Sequence, residues 1–132
     1  MTRYTEKVEY EKSSKPGVFE EFNRKRRLYE YNFDFREEDC EVDEQHPDGV
    51  RLVRSSLIVQ APITSNSVFA ELISAKYDPS YEQKLINDFN SYKLGIDGYD
   101  ETHEQKYKSF LEDRKKMHTQ VENDCAAFGY PI

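Results

Sequence analysis

At Pro62 the hydrophobic pattern changes period, and that change restricts the fold more than any other feature of the chain. Before it, apolar and polar side chains alternate, as in a strand with one buried face. After it, apolar residues recur three and four positions apart, as in a helix with one buried stripe. Strands followed by helices predict an α+β fold.

The strand-forming part is most legible from residue 28. Tyr29, Tyr31, Phe33 and Phe35 occupy odd positions, and Glu30, Asn32, Asp34 and Arg36 occupy even ones. His46-Pro47-Asp48-Gly49 then reads as a turn, because Pro presets φ at roughly −65° and Gly accepts positive φ. Residues 50–61 are β-branched and apolar enough to return as a second strand, so 28–61 predicts a long β-hairpin. A hairpin alone is marginally stable. Its aromatic face is expected to pack on the helices or on another chain, with three of the four aromatics serving as core. An aromatic row flanked by charge also has the form of a strand-addition interface.

The helical part predicts three elements. Thr64, Ser65, Asn66 and Ser67 offer capping oxygens, and Val68, Phe69, Leu72, Ile73 and Tyr77 form one stripe. Asp78-Pro79 starts a second helix with Tyr81, Leu85, Ile86, Phe89 and Tyr92 on one face, which Gly95 can close. After the polar loop 96–100, a third helix of about 20 residues is expected, with Tyr107, Phe110, Leu111, Met117 and Val121 inward. Residues 125–132 are too apolar for a free tail and are expected to dock, with Phe128 and Tyr130 as contact residues.

Residues 1–27 read differently. The first 15 are polar, with Tyr4, Val8 and Tyr10 placed as on one face of an edge strand, and Ser13, Ser14, Pro16 and Gly17 interrupt the chain. Val18, Phe19 and Phe22 have the spacing of a single helical turn, and a basic run, Arg24, Lys25, Arg26 and Arg27, follows. The expectation is an extended basic N-terminal arm over 1–27 and one domain over 28–132, a long hairpin packed against a three-helix unit. Tyr4, Tyr10, Phe19, Phe22 and the four cations are the arm's candidate contacts to neighbours.

Charge is uneven along the chain. Residues 1–27 carry +3, residues 28–49 carry −8 and residues 50–132 carry −2, giving −7 overall. That total disfavours general attraction to nucleic acid or an anionic membrane. At 132 residues, with charged side chains at 34% and apolar ones at 36%, one lean core is expected, with Tyr and Phe supplying much of its bulk. No segment is long and apolar enough to span a bilayer, and the N-terminus has no apolar signal region, so the chain reads as a soluble protein made inside the cell.

Motifs for chemistry are missing from the sequence. Five glycines form neither common phosphate loop, and no nucleophile elbow is present. Cys40 and Cys125 are far apart and lack zinc-type partners, and the acids around Cys40 should raise its thiol pKa. His46, His103 and His118 read as structural. The acids Asp97, Asp100, Glu101 and Glu104 lack the spacing of a calcium loop. No enzyme activity, metal, cofactor or small-molecule substrate is therefore expected.

Residues 70–117 carry a resemblance. ELISAKYDPSYEQKLINDFNSYKLG followed by EQKYKSFLEDRKKM resembles the C-terminal part of small proteins encoded by phages and prophages of gut anaerobes. The matching positions are Leu72, Ile73, Ala75 and Tyr77, then Leu85, Ile86, Asn87, Phe89 and Asn90, and finally Tyr107, Phe110, Leu111 and Arg114. Phe89 stands where the pattern has Tyr, and residues 1–27 lie outside the match. The segment is also similar to the helical ends of phage tail and tail-fibre assembly chaperones. The resemblance implies a virion structural or assembly protein, associated with tail, collar or capsid. It would bind other phage structural proteins in an oligomeric assembly, in the virion and in the host cytoplasm during assembly, with no direct contact to nucleic acid or membrane. The alternative expectation is an acidic phage-encoded inhibitor that uses the −8 segment to imitate a phosphate backbone before a host nucleic-acid-binding protein.

Overall fold

The computed structural model describes residues 3–132, so residues 1 and 2 of the expected arm lie outside the described residues. The α+β class holds, with a four-stranded antiparallel sheet and three helices. The chain forms two compact units, Met1–Ile63 and Thr64–Ile132, and their division falls where the hydrophobic period changes. Among the described residues no helix is long and apolar enough to cross a membrane.

In the first unit, β1 (Tyr4–Tyr10), β2 (Phe19–Asn23), β3 (Leu28–Asp39) and β4 (Val50–Gln60) are ordered β1-β4-β3-β2. The expected hairpin is β3–β4. Its β-turn is closed by the Gly49 N–H donating to the His46 carbonyl at 3.1 Å, with Gly49 at φ +71°. The segment read as an arm supplies both edges of the sheet. Residues 18–22, read as a helical turn, instead pair with β3: Phe19 lies opposite Tyr31, and the Asn32 N–H donates to the Val18 carbonyl at 2.7 Å. Cross-strand pairing and ring stacking override a three-residue spacing in so short a segment.

Two β-bulges change which face the side chains take. One lies between Thr5 and Val8 of β1, the other between Phe33 and Arg36 of β3, where Asp34 sits at φ +53°. On one face Tyr4, Leu57, Tyr31 and Phe19 make a row across all four strands. Rings stack through it from Phe19 to Tyr31 and from Tyr31 to Phe33, each at 4.8 Å between centroids, and then to Tyr4 at 6.4 Å. With Val53, Leu57 and Val59 these rings form the unit's core. Beyond the bulges, Val8, Tyr10 and Phe35 lie on the opposite face, with Tyr10 edge-on to Phe35 at 5.6 Å. Neither the single face expected for Tyr4, Val8 and Tyr10 nor the one expected for all four β3 aromatics is continuous.

The link from β1 to β2 crosses from one edge of the sheet to the other, about 14 Å at three strand spacings. It passes over this opposite face. Lys15 Nζ lies 4.7 Å from the Phe35 ring centre, and the Gly17 carbonyl accepts from Asn32 Nδ2 at 2.9 Å. Asn32 is fully buried, and its Oδ1 accepts from Arg54 Nε at 2.7 Å, so both ends of its amide are bonded.

The second unit holds α1 (Ser65–Lys76), α2 (Pro79–Lys93) and α3 (Glu101–Ala127). Caps sit where the sequence places them: Thr64 and Ser67 form a reciprocal box at α1, Asp78 precedes Pro79 at α2, and Asp100 caps α3. Val68, Phe69 and Leu72 of α1, Leu85 of α2, and Phe110, Met117, Val121 and Cys125 of α3 are buried. Leu111, expected inward, is 41% exposed, because the stripe 110, 117, 121, 125 turns it outward. That stripe also carries α3 past the expected length. The helix closes with the Gly129 N–H donating to the Ala126 carbonyl and the Tyr130 N–H to the Cys125 carbonyl, with Gly129 at φ +76°. The Pro131 carbonyl then accepts from the Ser65 N–H at 2.9 Å, fastening the C-terminus to the start of α1.

Candidate interaction surfaces

Three surfaces stand out, and each follows from local chain chemistry. The first is the β2–β3 turn. Arg24, Lys25, Arg26 and Arg27 are all exposed, and among the described residues none of their charged heads is in an ion pair. The turn backbone is fixed. Asn23 Oδ1 accepts from the Arg26 N–H at 3.0 Å, and Gln60 Nε2 donates to the Arg26 and Arg27 carbonyls at 2.9 and 3.0 Å. Arg27 adopts φ +56°, which completes the reversal. Phe22, just before it, is 48% exposed.

The second is the far end of the β3–β4 hairpin, residues 40–49. His46 is gripped there by the Glu9 carboxylate of β1 and by Asp43 Oδ1, which also accepts from the His46 N–H at 2.6 Å. These carboxylates, that of Glu9 first, hold the imidazole pKa above its usual value, while the His46 N–H in turn keeps the Asp43 carboxyl low. Glu38 is held low by Lys7, at 3.0 Å, with Arg51 farther off at 3.8 Å. The Cys40 thiol is pushed up, by burial first and by Asp43 second, in the direction the surrounding acids predict. Beside this end is an open groove of about 760 Å³, bordered by Tyr10, Lys12, Pro16, His46, Leu52 and Arg54.

The third is the tip between α2 and α3. Leu94 is 78% exposed, Ile96 52% and Tyr99 36%, on a loop that reverses through Gly95 and Gly98 at positive φ. Below it, Lys93 Nζ meets Glu104 at 3.0 Å and Phe89 packs on Tyr107 at 5.3 Å, so the two helices are braced. This tip was missed as a contact site in the sequence, where it reads only as a polar loop. The available signal is two large aliphatic residues flanking the glycine that ends a helix, where no periodic partner remains for them.

The candidate contacts read from sequence are thus dispersed. Phe19 belongs to the core, and Tyr4 is half-buried, with burial the main cause of its raised phenol pKa. Tyr10 borders the groove, while Phe22 and the four cations share one turn. Phe128 is 47% exposed and stacks on Tyr130 at 6.3 Å, on the C-terminal turn of the second unit. Among the described residues no group of three or more His, Cys, Asp or Glu is arranged to hold a metal ion. Compared with known protein families, curated proteins and solved structures, the chain finds no match.

Proposed function

We propose that this protein is a structural or assembly component of a bacteriophage particle, tail-, collar- or capsid-associated. On this reading it binds other particle proteins in an oligomeric assembly and converts no substrate. The observation that carries the reading is the α2–α3 tip. Covering the exposed part of Leu94 and Ile96 stabilises a complex by roughly 1–2 kcal/mol each, and the braced helices limit the ordering cost of that contact. The phage context is supported by the resemblance over residues 70–117, whose motif positions Leu72, Leu85 and Phe110 are buried in the unit that bears the tip. The protein would then be found in the virion, and in the host cytoplasm during assembly.

The acidic-inhibitor reading is less well supported. Asp43 and Glu38 at the hairpin end are tied to His46, Lys7 and Arg51, and the remaining acids are split between the end of β3 and the loop after it. The test is a Leu94→Asp, Ile96→Asp double variant followed into particles of the encoding phage by mass spectrometry. Both positions are exposed, so its melting temperature should match the parent's while its incorporation falls at least tenfold. Equal incorporation of variant and parent, or absence of the parent from both particles and assembly intermediates, would refute the reading.

A further inference from the structure

Two clusters of exposed charge that are in no ion pair among the described residues, one of each sign, lie toward opposite ends of β3 in the first unit. At one end is the fixed turn Arg24 to Arg27. At the other, Glu37, Asp39, Glu41, Glu44 and Asp48 are exposed and, among the described residues, in no ion pair, whereas Glu38 is paired with Lys7 and Arg51 and Asp43 is bonded to His46. Residues 28–36 of β3 separate Arg27 from Glu37, about 30 Å at the rise of a strand. Salt screens charge over roughly 8 Å at physiological ionic strength, so the ends do not neutralise each other within one chain.

Each end also holds one large apolar side chain in the open: Phe22 beside the cations, 48% exposed, and Val42 among the acids, 72% exposed. Two patches of opposite sign and similar charge number, each with an apolar centre, match each other. We infer that the protein self-associates through this pair, the Arg24 to Arg27 turn of one copy seating on the 37–48 end of a second, with Phe22 and Val42 covered between them. The prepaid backbone order of the turn favours the contact. Because unlike patches meet, a pair of copies keeps one patch of each sign for further copies, the arrangement that builds rings or filaments. This contact involves neither Leu94 nor Ile96 and goes beyond the particle reading, which stands or falls separately.

The test is sedimentation of the full chain across ionic strength, with two charge-reversed forms. One carries Arg24→Glu, Lys25→Glu and Arg26→Glu; the other carries Glu37→Lys, Glu41→Lys and Glu44→Lys. The unaltered chain should associate at about 0.05 M salt, and its apparent Kd should rise at least tenfold by about 0.5 M. Each reversed form alone should stay monomeric, and an equimolar mixture should associate again. The mixture doubles as a folding control, because only folded partners restore the contact, and the salt series on the unaltered chain needs no variant. A chain monomeric at low salt, association indifferent to salt, or association retained in either reversed form alone would overturn the inference. So would binding of a single-stranded oligonucleotide through the turn without self-association.

Discussion

Arg36 joins the bulge of β1 to that of β3, and its removal has a calculable consequence. Its Nη1 donates to the Asp34 carbonyl at 2.8 Å and to the Asp34 carboxylate at 3.1 Å, while Nη2 reaches the Glu6 carbonyl in the other bulge at 3.0 Å. Ser55 Oγ donates to the same Glu6 carbonyl at 3.0 Å. Replacing Arg36 by Met keeps the aliphatic stem and removes the donors. The Asp34 carboxylate is 61% exposed, so that pair contributes little. The two carbonyl bonds, from a guanidinium 26% exposed, contribute about 1 kcal/mol each, giving roughly 2 kcal/mol for Arg36→Met. Ser55→Ala should cost about 1 kcal/mol, since Arg36 still serves the carbonyl. The double variant leaves the Glu6 carbonyl with neither donor, so its cost should exceed the sum of the singles by about 1 kcal/mol or more. Urea unfolding gives the totals. Because a chain of two units need not unfold in one step, amide exchange along β1 and β4 provides the local value. Additivity within about 0.3 kcal/mol, or an Arg36→Met cost below about 0.5 kcal/mol, would show that the bulges hold without this knot.

Asn32→Ala strips partners from both Arg54 Nε and the Gly17 carbonyl at a fully buried position. It should cost about 2–3 kcal/mol in urea unfolding, and a cost under about 1 kcal/mol would mean that the crossing link is held by other contacts. His46 gives a pH signature with a definite sign. Its folded pKa lies above the usual 6.5, so its contribution is complete below that value and is lost as pH rises through the folded pKa. Asp43 acts oppositely, contributing above its usual 3.8 value and losing that contribution as pH falls through a lower folded pKa. Protection of the Cys40 and Gly49 amides, corrected for intrinsic exchange, should therefore be greatest between these two limits and decline as pH rises through the raised folded pKa of His46. His46→Gln should remove the upper decline, and an unchanged decline in that variant would assign it to another group.

The sequence is legible where one local signal and the tertiary structure agree. The β3–β4 hairpin was readable because alternation, a Pro-Asp-Gly turn and a β-branched return all specify it. Helix starts were readable because Thr64, Asp78 and Asp100 supply the cap oxygens themselves. The bulges were not, since nothing local demands φ +53° at Asp34. Arg36, two residues on, bonds Asp34 there while its other nitrogen is anchored to the Glu6 carbonyl of a strand distant in sequence, and the bulge reverses the facing of Phe35. β2 was hidden for a related reason. Five residues with Phe19 and Phe22 three apart imitate a helical turn, and only pairing with Tyr29 and Tyr31 decides the matter. Of the candidate surfaces, the cationic run was visible as composition, but its placement at the opposite end of β3 from the acids depends on the sheet. The α2–α3 tip was visible only as residues out of phase with any helix.

The lean composition gives those exposed apolar residues their weight. With only 36% of the chain apolar, the sheet fills its interior with stacked rings, and aromatic side chains bury about 150–250 Å² apiece. Single exposed apolar side chains are ordinary on protein surfaces. Here, however, Leu94 and Ile96 share one braced tip, while Phe22 and Val42 sit at the two charged ends of a single sheet. Leu94 and Val42 are largely exposed and Phe22 and Ile96 about half so, and each leaves apolar surface uncovered. Their placement therefore favours contacts outside the monomer, apolar at the helical tip and electrostatic with an apolar centre at the ends of the sheet. Salt separates the two: raising ionic strength weakens the second and leaves the first intact.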